Sequence, residues 1–128
     1  MRVFWAVLVG AALGGVSRFY LSGFIQQRTG PDFPLGTLIV NVTGGLLVGA
    51  IMRFSLQSDL VSPTVRVMLT SGFCGGYTTF STFSYETVVL LEDGEFGRAA
   101  LYVVTSVGLS LAAVLVGFAV GGRRLAGD

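Results

Sequence analysis

The sequence contains no histidine, no lysine and only one cysteine, Cys74. One cysteine cannot form an intrachain disulfide, and without histidine the chain cannot build a Cys/His metal site or a Ser/His/Asp triad. Hydrolytic catalysis of the familiar kinds is therefore disfavoured. We predict that the protein is not an enzyme.

Charge is also scarce, since 12% of the residues are charged whereas 52% are hydrophobic. The mean hydropathy of +0.78 is far above that of an ordinary soluble domain. This balance predicts an integral membrane protein surrounded by lipid. The net charge of +1, with every cation an arginine, gives no indication of nucleic-acid binding.

Four long stretches contain almost no charge, and each is long enough to cross a hydrocarbon core about 30 Å thick. They cover about residues 3–25, 35–52, 67–91 and 99–122. The start resembles a signal peptide, but its apolar run continues past Arg18, which favours a retained first helix. We predict one domain, residues 1–128, folded as an all-α membrane-spanning four-helix bundle.

Residues 72–86, GFCGGYTTFSTFSYE, are apolar enough for a membrane but are expected to break as a helix. Gly72, Gly75 and Gly76 each weaken a helix by up to about 1 kcal/mol relative to alanine. Five hydroxyl residues accompany them: Thr78, Thr79, Ser81, Thr82 and Ser84. A break in hydrocarbon is tolerated where protein or a polar cavity satisfies the freed backbone groups. The third span is therefore predicted to be a broken helix that binds something polar.

Asn41 is the most polar uncharged side chain of the second span, and it lies deep within it. Thr37, Asn41 and either Gly44 or Gly45 share one face at helical spacing. Two interpretations fit this face. Asn41 is either an interhelical hydrogen-bonding residue or a donor that lines a pore.

Two other polar features stand out in the apolar spans. Arg18 lies near the end of the first span, where it either snorkels to the interface or forms an electropositive vestibule or a subunit contact. Tyr102, Ser106 and Ser110 recur every four residues and form a hydroxyl stripe along the last span. Such a stripe serves either helix packing or a narrow polar path.

The available donors indicate the charge of the bound species. Amide, hydroxyl, free N–H and arginine groups favour an anion, and no carboxylate is expected among them. Phe80 and Phe83 lie on one side of a helix, and ring edges carry partial positive charge. These two rings either pack or hold a small anion edge-on. Because no acid lies deep within the spans, a proton-driven pump is disfavoured.

Three motifs resemble the CrcB/Fluc fluoride channel family in their residues and in their order along the chain. They are GGVSRF at residues 14–19, GTLIVNVTG at 36–44 and GFCGGYTTFSTF at 72–83. The resemblance covers essentially the whole chain.

The resemblance implies a fluoride-selective channel through which cytoplasmic fluoride leaves a bacterial cell passively across the inner membrane. It also implies an antiparallel, dual-topology homodimer with two pores and a central structural sodium ion. The expected fluoride pathway comprises Asn41, Phe80, Phe83, Tyr102, Ser106 and Ser110, together with the hydroxyls of Thr37 and Thr82. Arg18 is expected in the vestibule, and the main-chain oxygens of Gly75 and Thr78 are expected around sodium.

Two further sequence features bear on assembly. All four spans carry a GxxxG pair, which permits close helix approach and favours an oligomer: Gly10/Gly14, Gly45/Gly49, Gly72/Gly76 and Gly117/Gly121. Near the span ends, five arginines lie on one side (Arg2, Arg53, Arg66, Arg123 and Arg124) and two on the other (Arg28 and Arg98). This bias favours a single orientation with cytoplasmic termini.

Three classes of function remain in play from the residues alone. A passive anion channel predicts flux that ignores a proton gradient. A small ion-coupled exporter of the multidrug-resistance type predicts coupled flux, although those proteins rely on a glutamate in the first span and this chain has Arg18 there. A structural membrane subunit predicts no flux.

Overall fold

The computed structural model describes the backbone of residues 1–126 and the side chains of residues 1–122, and every regular element in this part of the chain is helical. The elements are α1 (Arg2–Thr29), α2 (Leu35–Leu56), α3 (Pro63–Val67), a π-helical segment (Met68–Cys74), α4 (Gly75–Tyr77), α5 (Phe80–Glu92) and α6 (Phe96–Ala126). The prediction of an all-α chain is confirmed for these residues. The side chains of Arg123 and Arg124 lie outside the described part.

Three helices are long and apolar enough to cross a membrane: Arg2–Thr29, Leu35–Leu56 and Phe96–Gly122. The predicted third span, residues 67–91, falls on the shorter elements from the π-helical segment to α5. α1 and α2 continue about one turn beyond the predicted spans, to Thr29 and Leu56. Hydropathy marks where apolar residues end, whereas the hydrogen-bonded helix continues into the polar residues that follow.

Hydroxyl side chains cap the N-termini of α3 and α5. Ser62 Oγ accepts a hydrogen bond from the Val65 N–H at 3.2 Å, and Pro63 is the first helical residue of α3, as its sequence predicts. Thr79 Oγ1 accepts from the Thr82 N–H at 3.2 Å and caps α5. Each cap satisfies an N–H group that has no partner inside its own helix.

The chain is not helical between α4 and α5. Thr78 has φ −88° and ψ 158°, and Thr79 has φ −150° and ψ 112°, so both residues are extended. The helical hydrogen-bond ladder is therefore interrupted between Tyr77 and Phe80. This interruption lies inside the segment that the glycines and hydroxyls single out.

Helix α1 packs closely against the π-helical segment and α4. The contact is made through the glycines of both motifs: Gly10, Gly14, Gly72 and Gly76. A Cβ atom added to Gly76 would lie 2.6 Å from the carbonyl oxygen of Ala11, and one added to Gly14 would overlap the carbonyl oxygen of Phe73. Only glycine permits this backbone-to-backbone approach.

Helix α2 makes its most extensive contact with α6, and glycines again form the interface. The residues are Gly45, Gly49, Gly117 and Gly121. A Cβ atom on Gly121 would lie 2.6 Å from the carbonyl oxygen of Ala50. All four GxxxG pairs are thus used within one chain, so they carry no argument for an oligomer.

Candidate ion pathway

An open groove of about 300 Å³ runs beside the interruption between α4 and α5. Its lining combines the polar groups of α2, the interruption and α6 with the two phenylalanines of α5: Asn41, Thr78, Thr79, Phe80, Phe83, Ser106, Val107, Ser110 and Leu111. None of these residues is charged. Five of the predicted pathway residues therefore meet in one place.

Asn41 binds the interrupted backbone from both sides of its amide. Its Nδ2 donates to the carbonyl oxygen of Thr79 at 3.1 Å, and its Oδ1 accepts from the Thr79 N–H at 2.8 Å. One turn further along α2, a Cβ atom on Gly44 would overlap the γ-methyl of Thr78. The two interpretations of Asn41 are thus compatible, because it joins α2 to the interruption and also lines the groove.

Ser106 presents an unusual hydroxyl to the groove. The residue is only 6% exposed, and no other described residue forms a hydrogen bond with its Oγ. A buried polar atom without a partner carries a desolvation cost of about 1–3 kcal/mol. The hydroxyl of this groove-lining residue therefore has a hydrogen-bonding capacity that no described residue uses.

The phenylalanine rings differ in how much they pack within the chain. Phe80 is 79% exposed, although its ring lies 5.6 Å from that of Phe83. The Phe83 ring also lies 5.2 Å from the ring of Tyr102, which is fully buried. Phe83 is therefore partly a packing residue, whereas Phe80 contributes little to the core of a single chain.

Thr37 and Thr82 lie in a separate pocket of about 220 Å³, together with Glu86. The Thr37 hydroxyl donates to Glu86 Oε1 at 2.6 Å, and the Tyr102 hydroxyl donates to Oε2 at 3.4 Å. The expectation that no carboxylate accompanies the donors is therefore wrong at this end of the pathway. The carboxylate orients two hydroxyls that the sequence assigned to the fluoride path.

Glu86 is the functional candidate that the sequence analysis missed. The hydropathy pattern locates Glu86 near the end of the third predicted span, residues 67–91, and close to the following acidic loop, where a charged residue is expected. A signal was available, since Glu86 follows Thr82 by four residues and Phe83 by three on the same helix. That spacing places all three on neighbouring positions of α5.

Arg18 is not among the residues that line the groove, and it contacts the helical residues just before the interruption. Its Nε donates to the carbonyl oxygen of Gly76 at 3.1 Å. The guanidinium is half-buried rather than extended into solvent. Arg18 therefore supports a backbone oxygen near the interruption, and it does not share a pocket with the pathway residues described above.

The carbonyl oxygens of Gly75 and Thr78 can bind a cation only if hydrogen-bond donors do not already occupy them. No hydrogen bond from any described residue reaches either oxygen, although the neighbouring Gly76 oxygen has one. Gly75 itself is exposed at the surface of the chain. Unpaired carbonyl oxygens are suitable ligands for a hard monovalent cation, so these two residues fit the expected site.

Comparison with known proteins identifies the family of the chain. Residues 5–118 match the family described as CrcB-like protein, Camphor Resistance (CrcB). The chain is 56% identical over 108 residues to a fluoride-specific ion channel FluC of Geotalea daltonii, which covers 84% of this chain and 87% of that protein. It is 50% identical over 117 residues to the channel of the same name from Geobacter sulfurreducens, covering 91% and 94% of the two chains.

A relative from Rhizobium meliloti with the same name is 49% identical over 115 residues, covering 88% of this chain and 92% of that protein. With three helices of membrane-spanning length, the chain is a multi-pass membrane protein. The family assignment also confirms that it is not an enzyme. On the extent of these matches, the protein belongs to the CrcB-like family.

Proposed function

We propose that this protein is a fluoride-selective channel through which cytoplasmic fluoride leaves the cell passively, in the inner membrane of a bacterium. The observation that carries the proposal is the buried hydroxyl of Ser106, which is unpaired among the described residues and belongs to a groove shared with Asn41, Phe80 and Phe83. The names of the relatives as fluoride-specific channels support the identity of the ion.

The chemistry of the groove suits a small, strongly hydrated anion. Fluoride must exchange its water for donors along a narrow path, and each interaction must be weak enough to release it. Hydroxyl and amide hydrogens provide such donors, and the ring edges add partial positive charge. With no arginine among the groove residues, the anion meets no fixed cation that would trap it there.

Flux through purified protein in liposomes tests this function against its rivals. Vesicles loaded with fluoride or chloride are opened electrically with a potassium ionophore, and the released halide is followed with an electrode. A channel releases fluoride rapidly, releases little chloride and ignores a proton gradient. Coupling to protons or sodium would favour an exporter. The absence of any flux would favour a structural membrane subunit.

Substitution of Ser106 by alanine is expected to change stability and flux in opposite directions. Removing the unpaired hydroxyl relieves its burial cost, so the protein should be unchanged or more stable by about 1 kcal/mol. Loss of a donor from the path should lower fluoride efflux about tenfold, which corresponds to about 1.4 kcal/mol. Thermal unfolding and liposome efflux measure the two effects. Unchanged efflux would remove Ser106 from the path.

The four spans, including a third that is broken at residues 78–79, would form one domain, and two copies would assemble antiparallel with two pores. The groove is open along one side, and Phe80 is 79% exposed, so a single chain leaves the path incomplete. A second copy would close it.

Labelling of single cysteines at the termini tests the antiparallel arrangement. We expect both termini to react from each side of a native membrane with an impermeant thiol reagent, after Cys74 has been replaced by serine. Labelling from the cytoplasmic side alone would show that the five-to-two arginine bias sets one orientation.

A sodium ion would lie where the two interrupted segments meet, held by the main-chain oxygens of Gly75 and Thr78 from both subunits. The support is that neither oxygen has a hydrogen bond in the described part of the chain. The ion would neutralise these carbonyl dipoles in a low-dielectric setting and hold the subunits together. Arg18 would contribute positive potential at the vestibule through the guanidinium N–H groups that Gly76 does not use.

A further inference from the structure

The hydrogen-bond ladder of a continuous helix identifies which groups lose their partners at the interruption. In an α-helix each N–H bonds to the carbonyl four residues earlier. The Gly75 oxygen would therefore accept from the Thr79 N–H, and the Thr78 oxygen from the Thr82 N–H. These are the two oxygens assigned to the cation.

Side-chain oxygens take both of these N–H groups. The Thr79 N–H donates to Asn41 Oδ1 at 2.8 Å, and the Thr82 N–H donates to Thr79 Oγ1 at 3.2 Å. Asn41 also fixes the other face of the same residue, because its Nδ2 donates to the Thr79 carbonyl at 3.1 Å. The Gly75 and Thr78 oxygens are thus deprived of the only backbone donors that a helix would offer them.

The carbonyl oxygen of Gly76, the residue after Gly75, has a hydrogen-bond partner. In a continuous helix the Gly76 oxygen would accept from the Phe80 N–H, but here it accepts from Arg18 Nε at 3.1 Å. A cationic donor satisfies this oxygen and leaves it unsuited to a metal cation. Arg18 thus occupies one oxygen of this stretch, whereas the oxygens of Gly75 and Thr78, like that of Tyr77, accept no hydrogen bond from a described residue.

We propose that Asn41 and Thr79 are positioning residues for the cation site, because they capture the N–H groups that would otherwise occupy the Gly75 and Thr78 oxygens. This inference rests on the proposed sodium site and adds which residues create it. It also connects that site to the groove, since both Asn41 and Thr79 line the groove. Asn41 thereby shapes the anion path and the cation site together.

The Thr79 hydroxyl and the Thr78 carbonyl oxygen compete for the Thr82 N–H, and this competition can be measured through its effect on sodium binding. The melting temperature of the purified full chain is followed as sodium replaces N-methylglucamine at constant ionic strength. Thr79→Val keeps the shape of the side chain but removes the oxygen, so the Thr82 N–H returns to the Thr78 carbonyl. We expect the sodium concentration for half-maximal stabilisation to rise about tenfold, the equivalent of one competing hydrogen bond.

Two variants serve as controls for this shift. Thr79→Ser restores an acceptor oxygen and is expected to restore the wild-type sodium dependence. Thr105→Val removes a hydroxyl that bonds to carbonyls of its own helix, Leu101 at 2.7 Å and Tyr102 at 3.4 Å, and should leave the dependence unchanged. A simple loss of stability would lower the melting temperature without moving the sodium midpoint.

The outcomes separate this inference from the proposal on which it rests. Wild-type protein that ignores sodium would overturn the cation site and this inference with it, while the efflux assay would still decide the channel function. A sodium-responsive wild type with an unshifted Thr79→Val midpoint would overturn the inference alone.

Amide exchange on the wild-type protein provides a test that needs no variant. If side chains hold the Thr79 and Thr82 N–H groups, both amides stay protected in sodium and in N-methylglucamine. Loss of their protection when sodium is removed would show that the cation, and not the two side chains, maintains the interruption.

Discussion

Replacing Phe80 by isoleucine is expected to abolish fluoride efflux in a protein that still folds. Isoleucine keeps most of the apolar volume, but it has no ring edge to offer partial positive charge to an anion. Loss of the interaction between the ring edge and the ion should lower efflux about a hundredfold. This factor corresponds to about 3 kcal/mol of lost stabilisation of the ion in its path.

The structure makes Phe80 a better test than Phe83. Phe80 is 79% exposed, so its substitution removes little packing from the chain. The Phe83 ring lies 5.2 Å from the ring of buried Tyr102, so Phe83→Ile alters packing and path together. A loss of flux in the Phe83 variant would therefore have two explanations. The Phe80 variant leaves the packing of the single chain intact, and gel filtration shows whether it also keeps the assembly.

Liposome efflux and gel filtration of the same preparation measure the result. Phe96→Ile is a matched control, because Phe96 is 67% exposed and lies outside the groove lining. Efflux should remain at the wild-type rate in that control. Normal fluoride efflux from a well-folded Phe80→Ile protein would show that this ring does not carry the ion.

The local sequence signals predicted much of the region around the groove. The Ser62-Pro63 pair begins α3 where its chemistry requires. The shared face of Thr37, Asn41 and Gly44 packs against α5 and the interruption, since each residue contacts this region. Glycine and hydroxyl content located the segment, because such residues weaken a helix wherever they fall.

Other features depended on contacts between distant residues. Seven residues of π-helix, Met68–Cys74, precede the interruption, and hydrophobic periodicity does not distinguish this geometry from an α-helix. The bond from Arg18 to Gly76 joins residues 58 positions apart, so no spacing rule predicts it. Glu86 is similar in one respect, because its partners Thr37 and Tyr102 belong to other helices and the spacing along α5 indicates only its neighbours on that helix.

The role of each glycine also depends on contacts between residues that are distant in the sequence. We therefore expect alanine substitutions at two neighbouring glycines, Gly14 and Gly15, to have different effects on stability. Gly14 faces the π-helical segment, where a Cβ atom would overlap the carbonyl oxygen of Phe73 and lie 2.9 Å from the Tyr77 nitrogen. Gly15, the next residue on α1, has no atom within 4 Å of an added Cβ. The sequence identifies Gly14 as one half of a GxxxG pair, but it does not show that the space beside Gly15 is open.

Gly14→Ala is therefore expected to destabilise the protein by about 1–3 kcal/mol or more, because backbone atoms rather than flexible side chains must move. Gly15→Ala should leave stability unchanged or raise it by about 0.5–1 kcal/mol, because alanine loses less conformational entropy in a helix. Thermal unfolding in detergent compares the two variants, and gel filtration reports whether each keeps the assembly of the wild type. Equal effects at both positions would contradict the close packing of α1 on the interrupted segment. A Gly14→Ala protein that unfolds readily while Gly15→Ala remains intact would show that this motif acts within the chain, so that any dimer must use other surfaces.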